Sequence, residues 1–192
     1  MTKCKRKSLK TIFSSCVQPA FIIGTNNQDG SYNFAPITWV SATNVVDYEY
    51  HLTISMYGSK ATKSNVVREG RLSINLVSTD MLELMDYLGT HKAVNGKKDA
   101  IPYEVGRGDV VDVPILEASR WIYECEVVKS VEFGGSTTFF CKIKNIQVDE
   151  CLNPQNTFDV DIAKLDPVIY SGMYYRLGEK LGEIGEVSKH IK

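Results

Sequence analysis

The sequence predicts a mainly β fold, an antiparallel barrel with small flanking helices, and three observations predict it. Apolar residues recur at every second position in four separate runs. Two pairs of strand-like runs meet at glycine-containing turns. No regular strand-helix alternation of the kind a parallel sheet needs is present, and there is no internal repeat.

Taken in order, Ala20 to Thr25 is short, apolar and β-branched, and the Asp29-Gly30 turn after it leads into YNFAP, which reads as a hairpin. Leu52, Ile54 and Met56 alternate with polar neighbours, as do Leu72, Ile74 and Leu76, so each run is a strand with one apolar face. Between them, GSKATKSNVVREG predicts one or two helical turns with Thr62 as the N-cap and Gly70 as the stop. Met81, Leu84, Met85 and Leu88 fall at i, i+3, i+4 and i+7, which predicts a second helix packed on the sheet as a lid. From Thr90 to Pro114 periodicity fails and the expectation is a long surface loop. Trp121, Tyr123, Cys125 and Val127 share one parity, and Phe139, Cys141 and Ile143 share another across Gly134-Gly135, giving a second hairpin. The parity slips at Asn145, as a β-bulge there would produce.

A length of 192 residues with 43% hydrophobic content is ample for one core, so the expectation is one domain over 1–192, with a basic arm at 1–15 and a tail at 176–192. Lys and Arg total 22 against 23 Asp and Glu, which provides no global field for nucleic acid or an anionic membrane. No apolar run approaches the roughly 20 residues that cross a bilayer, and the basic start is not followed by an export segment. Five dispersed cysteines without a CxxC pair argue against a disulfide framework or zinc site and fit a reducing cytoplasm. Cys125 and Cys141 fall in apolar runs and read as buried small hydrophobes. His51, His91 and His190 are too dispersed for a metal site, and no nucleophile elbow is present.

Two segments carry candidate chemistry. Gly58 to Asn65 leaves a strand and enters a helix, where unpaired amides and the hydroxyls and ammonium groups of Ser59, Lys60, Thr62, Lys63 and Ser64 suit an anion such as phosphate. The spacing is not that of a P-loop, and the same residues also make an ordinary capped helix with solvated lysines. Asn33 to Ser41 contains Pro36, Thr38, Trp39 and Ser41, which suit the edge of a planar heterocycle. The alternative is an edge strand with Trp39 in the core. A barrel that stacks RNA bases would use rings such as Phe139, Phe140, Tyr174 and Tyr175, but the near-neutral charge disfavours it.

The ordered series PAFIIGT, DGSYNFAPITW, the Ser59 to Asn65 loop, RLSINLVS, PILEASRWIYECEV and GMYYRLG resembles the flavin reductase-like family of FMN-binding split barrels, which includes flavoredoxin-type proteins. The resemblance implies an antiparallel, Greek-key split barrel, and a homodimer with FMN laid across the interface. It implies that Asn33 and the stretch from Ala35 through Pro36, Thr38, Trp39 and Val40 to Ser41 border the flavin ring and ribityl chain, with Ser55 and Met56 beneath. Ser59, Lys60, Thr62, Lys63, Ser64 and Asn65 take the phosphate, and Asn75 supports the site. NADH or NADPH is the implied transient donor, and the acceptor is free flavin, iron, another small molecule or a protein. Lys98-Asp99 stands in reversed order relative to many relatives. The second hairpin turn, GGSTTFF, lacks the Gly-Asp-His of relatives that reduce free flavin.

Overall fold

The computed structural model describes residues 8, 16–46, 49–91, 103–152, 160–184 and 186–189. The expected basic arm, apart from Ser8, and the Lys98-Asp99 pair therefore lie outside the described residues.

Strands β1 (Gln18–Pro19), β2 (Phe21–Asn26), β3 (Tyr32–Ile37), β4 (Val40–Val46) and β5 (Glu49–Tyr57) precede helix α1 (Ala61–Glu69) and β6 (Arg71–Leu76). A 3-10 turn, Thr79–Met81, leads into α2 (Leu82–Thr90). The remaining elements are β7 (Val105–Arg107), β8 (Pro114–Leu116), β9 (Trp121–Phe133), β10 (Ser136–Val148), α3 (Ile162–Leu165), β11 (Val168–Tyr170) and β12 (Tyr174–Arg176). Seven strands form one antiparallel sheet in the order β3-β2-β6-β9-β10-β5-β4, while β1-β11-β12 and β7-β8 make two small sheets.

The two edges of the large sheet, β3 and β4, are consecutive in the chain and joined only by Thr38 and Trp39. Laid flat, six strand spacings would hold those edges roughly 29 Å apart. Three steps of chain from Ile37 to Val40 reach at most about 11 Å. The sheet must therefore curl until its edges meet, and the Ser55 amide bonding the Trp39 carbonyl at 3.0 Å carries the β4-β5 ladder into the connection. Pro36 is accommodated because β3 is an edge strand with no outer ladder partner.

Inside the curl, Ile23, Ile54, Leu72, Ile74, Cys125, Phe139 and Cys141 are buried together, with Val66 of α1 among them. Outside β2 and β3, Met81, Leu84, Met85 and Leu88 form the predicted stripe against Ile22, Phe34 and Leu116. Phe139 is thus core and has no free face for a base. The glycine turn of the second hairpin holds Gly134 and Gly135 at φ 55 and 83, the left-handed pair that a two-residue hairpin loop requires. The ladder slips between Ile143 and Asn145, where the parity change predicts it, and also between Phe140 and Cys141. Burial pushes the Cys141 thiol up to about 12 and raises Cys125 well above its ordinary value, so both are protonated core groups.

Three expectations need correction. Lys60, with no side-chain cap, occupies the N-cap of α1. Thr62 lies inside the helix because its hydroxyl accepts from Asn33 Nδ2 at 2.8 Å. Residues after Tyr103 are not a surface loop: β7 pairs with β8, and Val111 and Val113 are buried. What orders them is Glu124, whose buried carboxylate accepts the amides of Asp109, Val110 and Val111 at 3.0, 2.8 and 2.6 Å. Three-residue strands are too short to show a period. Finally, β6 has no solvated face, since Ser73 and Asn75 are both fully buried beneath β8.

Candidate functional site

The seam created by the curl opens into a cleft of about 180 Å3 lined by Pro36, Ile37, Thr38, Trp39, Ser55, Met56, Tyr57 and Lys60. On the far side of the Tyr57 to Lys60 turn lies a second hollow, of about 560 Å3, bounded by Gly58, Ser59, Lys63, Ser64, Val67 and Gly135. The two hollows flank one turn, which contributes Tyr57 and Lys60 to the first and Gly58 and Ser59 to the second.

The two hollows differ in chemistry. At the seam end the floor is Met56, which is 1% exposed, and the walls are Pro36 and Ile37, so this end is apolar. Polar groups there are few: Thr38, and Ser55, whose hydroxyl shares a 2.8 Å bond with Thr138 Oγ1. Trp39 and Tyr57 stand at the rim, 49% and 65% exposed, so Trp39 is no core residue. In the second hollow α1 begins without a side-chain cap, leaving the amides of Ala61, Thr62 and Lys63 outside the helical ladder, and Ser59 and Ser64 line the hollow beside them. Two lysines, Lys60 and Lys63, flank this helix start, and Lys63 Nζ also reaches the Gly135 carbonyl at 3.5 Å.

What holds the helix start in place is a buried chain of amides. Asn33 Nδ2 donates to Thr62 at 2.8 Å and to Thr25 at 3.3 Å, while Asn65 Nδ2 donates to Thr25 at 3.1 Å and to Asn27 Oδ1 at 2.8 Å. Arg68 completes it, bonding Asn65 Oδ1 at 2.9 Å and the Asn26 carbonyl at 2.6 Å. The links from Asn33 to Thr62, from Asn65 to Thr25 and Asn27, and from Arg68 to Asn26 tie α1 to the β2-β3 hairpin, which fixes the helix start beside the seam.

The sequence-predicted residues thus separate into groups. Pro36, Thr38, Trp39, Ser55, Met56 and Lys60 line the cleft, and Ser59, Lys63 and Ser64 line the adjoining hollow. Asn33, Thr62 and Asn65 lie in the buried network with their side chains engaged, so they position the helix. Val40 is core, Ala35 is half-buried on β3, and Ser41 is exposed on β4, bonding the Ala42 carbonyl. Asn75 is far from solvent, donating to the Ile22 carbonyl and accepting from the Leu116 amide, both at 2.9 Å. The sequence reading missed Tyr57, Gly135 and Thr138. Only the pairing of β5 with β10, which sets Ser55 opposite Thr138 and Ser136 opposite Tyr57, brings them in.

The sequence matches the flavin reductase like domain family over residues 13–178, most of its length. The chain belongs to the flavin reductase-like family. Membership makes a flavin its cofactor class and redox chemistry its field. The split barrel is shared with solved structures. Flavoredoxin of Desulfovibrio vulgaris (Miyazaki F) is 24% identical with a TM-score of 0.84, over 96% of this chain and 100% of that one. Flavoredoxin from Methanosarcina acetivorans is also 24% identical, with a TM-score of 0.80 over 98% of each chain. An FMN-binding protein from Thermus thermophilus is 19% identical, with a TM-score of 0.72 over 95% of this chain and 99% of that one. No curated protein matches the sequence. Among the described residues of this flavin reductase-like chain, no helix is long and apolar enough to cross a membrane, and no group of His, Cys, Asp and Glu is arranged to hold a metal.

Proposed function

We propose that this chain is an FMN-dependent oxidoreductase that acts as a homodimer in a reducing compartment such as the cytoplasm. It moves electrons from NADH or NADPH to flavin, iron or another acceptor. One observation carries the reading: an apolar cleft with aromatic rims adjoins an uncapped helix start flanked by Lys60 and Lys63. Free backbone amides and two ammonium groups suit a phosphate, and the apolar end suits a planar ring, so the residues fit FMN. The bound flavin would supply hydride and electron transfer.

The chain's own work is placement. Lys60, Lys63, Ser59, Ser64 and the amides of Ala61 to Lys63 anchor the phosphate end. Met56, Pro36 and Ile37 remove water from beneath the ring, while Thr38 and the Ser55-Thr138 pair offer hydrogen bonds at its edge. The seam cleft holds about 180 Å3, short of the roughly 300 Å3 or more of an enclosing ligand site. A second copy covering Trp39 and Tyr57 would complete it, which is the reason for the homodimer.

A second reading keeps FMN but makes the chain an electron-transfer module serving protein partners. The Gly134-Gly135 turn beside the groove carries no histidine. Of the two described histidines, His51 stands six residues along β5 from Tyr57, roughly 20 Å away. His91 stacks on Tyr87 at the end of α2. Purified protein titrated with FMN should show a bound-flavin absorption spectrum, and a colourless protein that stays so overturns both readings. Anaerobic NADH or NADPH then separates them: rapid bleaching supports the enzyme, and no bleaching supports the module.

A further inference from the structure

Beyond Tyr174–Arg176 the chain runs on as a tail whose apolar side chains are largely exposed: Leu181 is 97% exposed and Ile184 fully so, with Val187 at 59% and Leu177 at 41%. Such exposure in four large side chains of one short segment is abnormal for a finished surface. Their spacing of i, i+4, i+7 and i+10 would gather them within about a third of a helix's circumference, an arc that also takes in Lys180, while Glu179, Glu183, Glu186 and Lys189 fall on the rest. Only its outer half turns, the Glu186 amide bonding the Glu183 carbonyl and the Lys189 amide the Glu186 carbonyl, both at 3.2 Å, while Gly182 at φ 151 keeps the stretch before it out of a helix. Its glycines and short length prevent a helix from standing alone, so it needs a surface to fold on.

A matching surface lies elsewhere on the molecule. A groove of about 420 Å3 at the open end of the curled sheet is lined by Pro19, Phe21, Leu76, Trp121, Ile162 and Leu165 among others, and Ile162 on its wall is 58% exposed. It is separate from the cleft at the seam, with which it shares no lining residue. Groove and tail root belong to the same three-stranded sheet. Pro19 of β1 lines the groove at one edge, and β12 releases the tail at the other, with β11 between them. From Arg176 the thirteen residues to Lys189 can extend up to about 43 Å, enough to reach a neighbouring molecule.

We propose that the tail of one copy lies in this groove of a second copy, and the second copy's tail in the first. A two-fold axis requires each contact to be made twice, and placing root and groove on one sheet lets a single axis satisfy both. The exchange folds the tail and covers the apolar end of the sheet in the same step. It does not depend on which ligand fills the seam cleft.

The test uses the full-length chain with Ile184 replaced by benzoyl-phenylalanine, a position exposed enough to leave folding intact, mixed from isotopically heavy and light preparations and irradiated. Heavy-light cross-links to the peptides carrying Ile162, Leu165 or Trp121 are the expected result. Cross-links confined within one chain, or none to these peptides, overturn the proposal. In parallel, Leu181→Glu/Ile184→Glu should weaken dimerisation at least tenfold by sedimentation. Unchanged dimerisation overturns it too, and the flavin titration of the same variant reports the seam site separately.

Discussion

Replacing Glu124 by Gln keeps the shape of the side chain and removes its charge, in a place where the carboxylate has no contact with solvent. Five donors converge on it. One oxygen takes the Asp109 amide, Asn145 Nδ2 and Gln147 Nε2 at 3.0, 2.7 and 2.9 Å, and the other takes the Val110 and Val111 amides at 2.8 and 2.6 Å. Glutamine has one acceptor oxygen and one donor nitrogen, so in either orientation at least two of these donors face an N-H. At about 1–3 kcal/mol for each buried donor left without an acceptor, the loss is about 2–4 kcal/mol once partial solvation at exposed Val110 is allowed for. For a chain of this size that lowers Tm by roughly 5–15 °C.

The pH dependence has a definite sign. Burial raises the Glu124 carboxyl, but the hydrogen bonds from Val111, Asn145, Gln147 and Val110 outweigh it and hold the group below its ordinary value of 4.5. A group depressed in the folded state stabilises fully above its unfolded value and loses that contribution as pH falls through the folded one. The gap between wild type and Glu124→Gln should therefore be constant near neutrality and shrink below about pH 4.5. Urea unfolding of both proteins at several pH values measures it. A variant as stable as wild type at pH 7 would show that the ordering of residues 108 to 113 does not rest on this carboxylate.

Lys60→Ala should weaken FMN binding by roughly 10- to 100-fold, the worth of a charge-assisted hydrogen bond to phosphate. Fluorescence titration with FMN reads it, and unchanged affinity would move the phosphate away from the α1 start. Gly24→Ala should destabilise by about 1–3 kcal/mol, because its Cβ would stand 2.4 Å from both the Pro114 carbonyl and Ser73 Oγ; a neutral result in denaturant unfolding would contradict that packing. Asn65→Ala should cost about 1–3 kcal/mol by removing one hydrogen-bond partner each from Thr25, Asn27 and Arg68, and should also weaken FMN by displacing the helix start. Alkylation at pH 8 followed by peptide mass spectrometry should label exposed Cys16 and Cys151 and spare Cys125 and Cys141 until the protein is unfolded.

Local order was legible because its causes are local. Alternation marks β5, β6, β9 and β10, the i, i+3, i+4, i+7 stripe marks α2, and the glycine pair marks the long hairpin, since each is a pattern within a few neighbouring residues. The candidate site was legible in part for the same reason: a strand running into a helix start with Ser59, Lys60, Lys63 and Ser64 is contiguous in the chain. Partnership was not legible. Asn33, Thr62, Asn65 and Asn75 carry the same polar side chains as the groove residues, and only tertiary contacts show that they spend their hydrogen bonds inside.

By itself the sequence determined β2, β3, β5, β6, β9 and β10, helices α1 and α2, the two hairpins and the residue types available for an anion and a flat ring. The tertiary structure decided the curl. Whether Thr38 and Trp39 join neighbours or opposite edges depends on which strands lie between β3 and β4, and strand order is set by contacts between residues distant in the chain. That order turns two connecting residues into a seam, brings Ser55 opposite Thr138, and sets the uncapped start of α1 beside the resulting cleft.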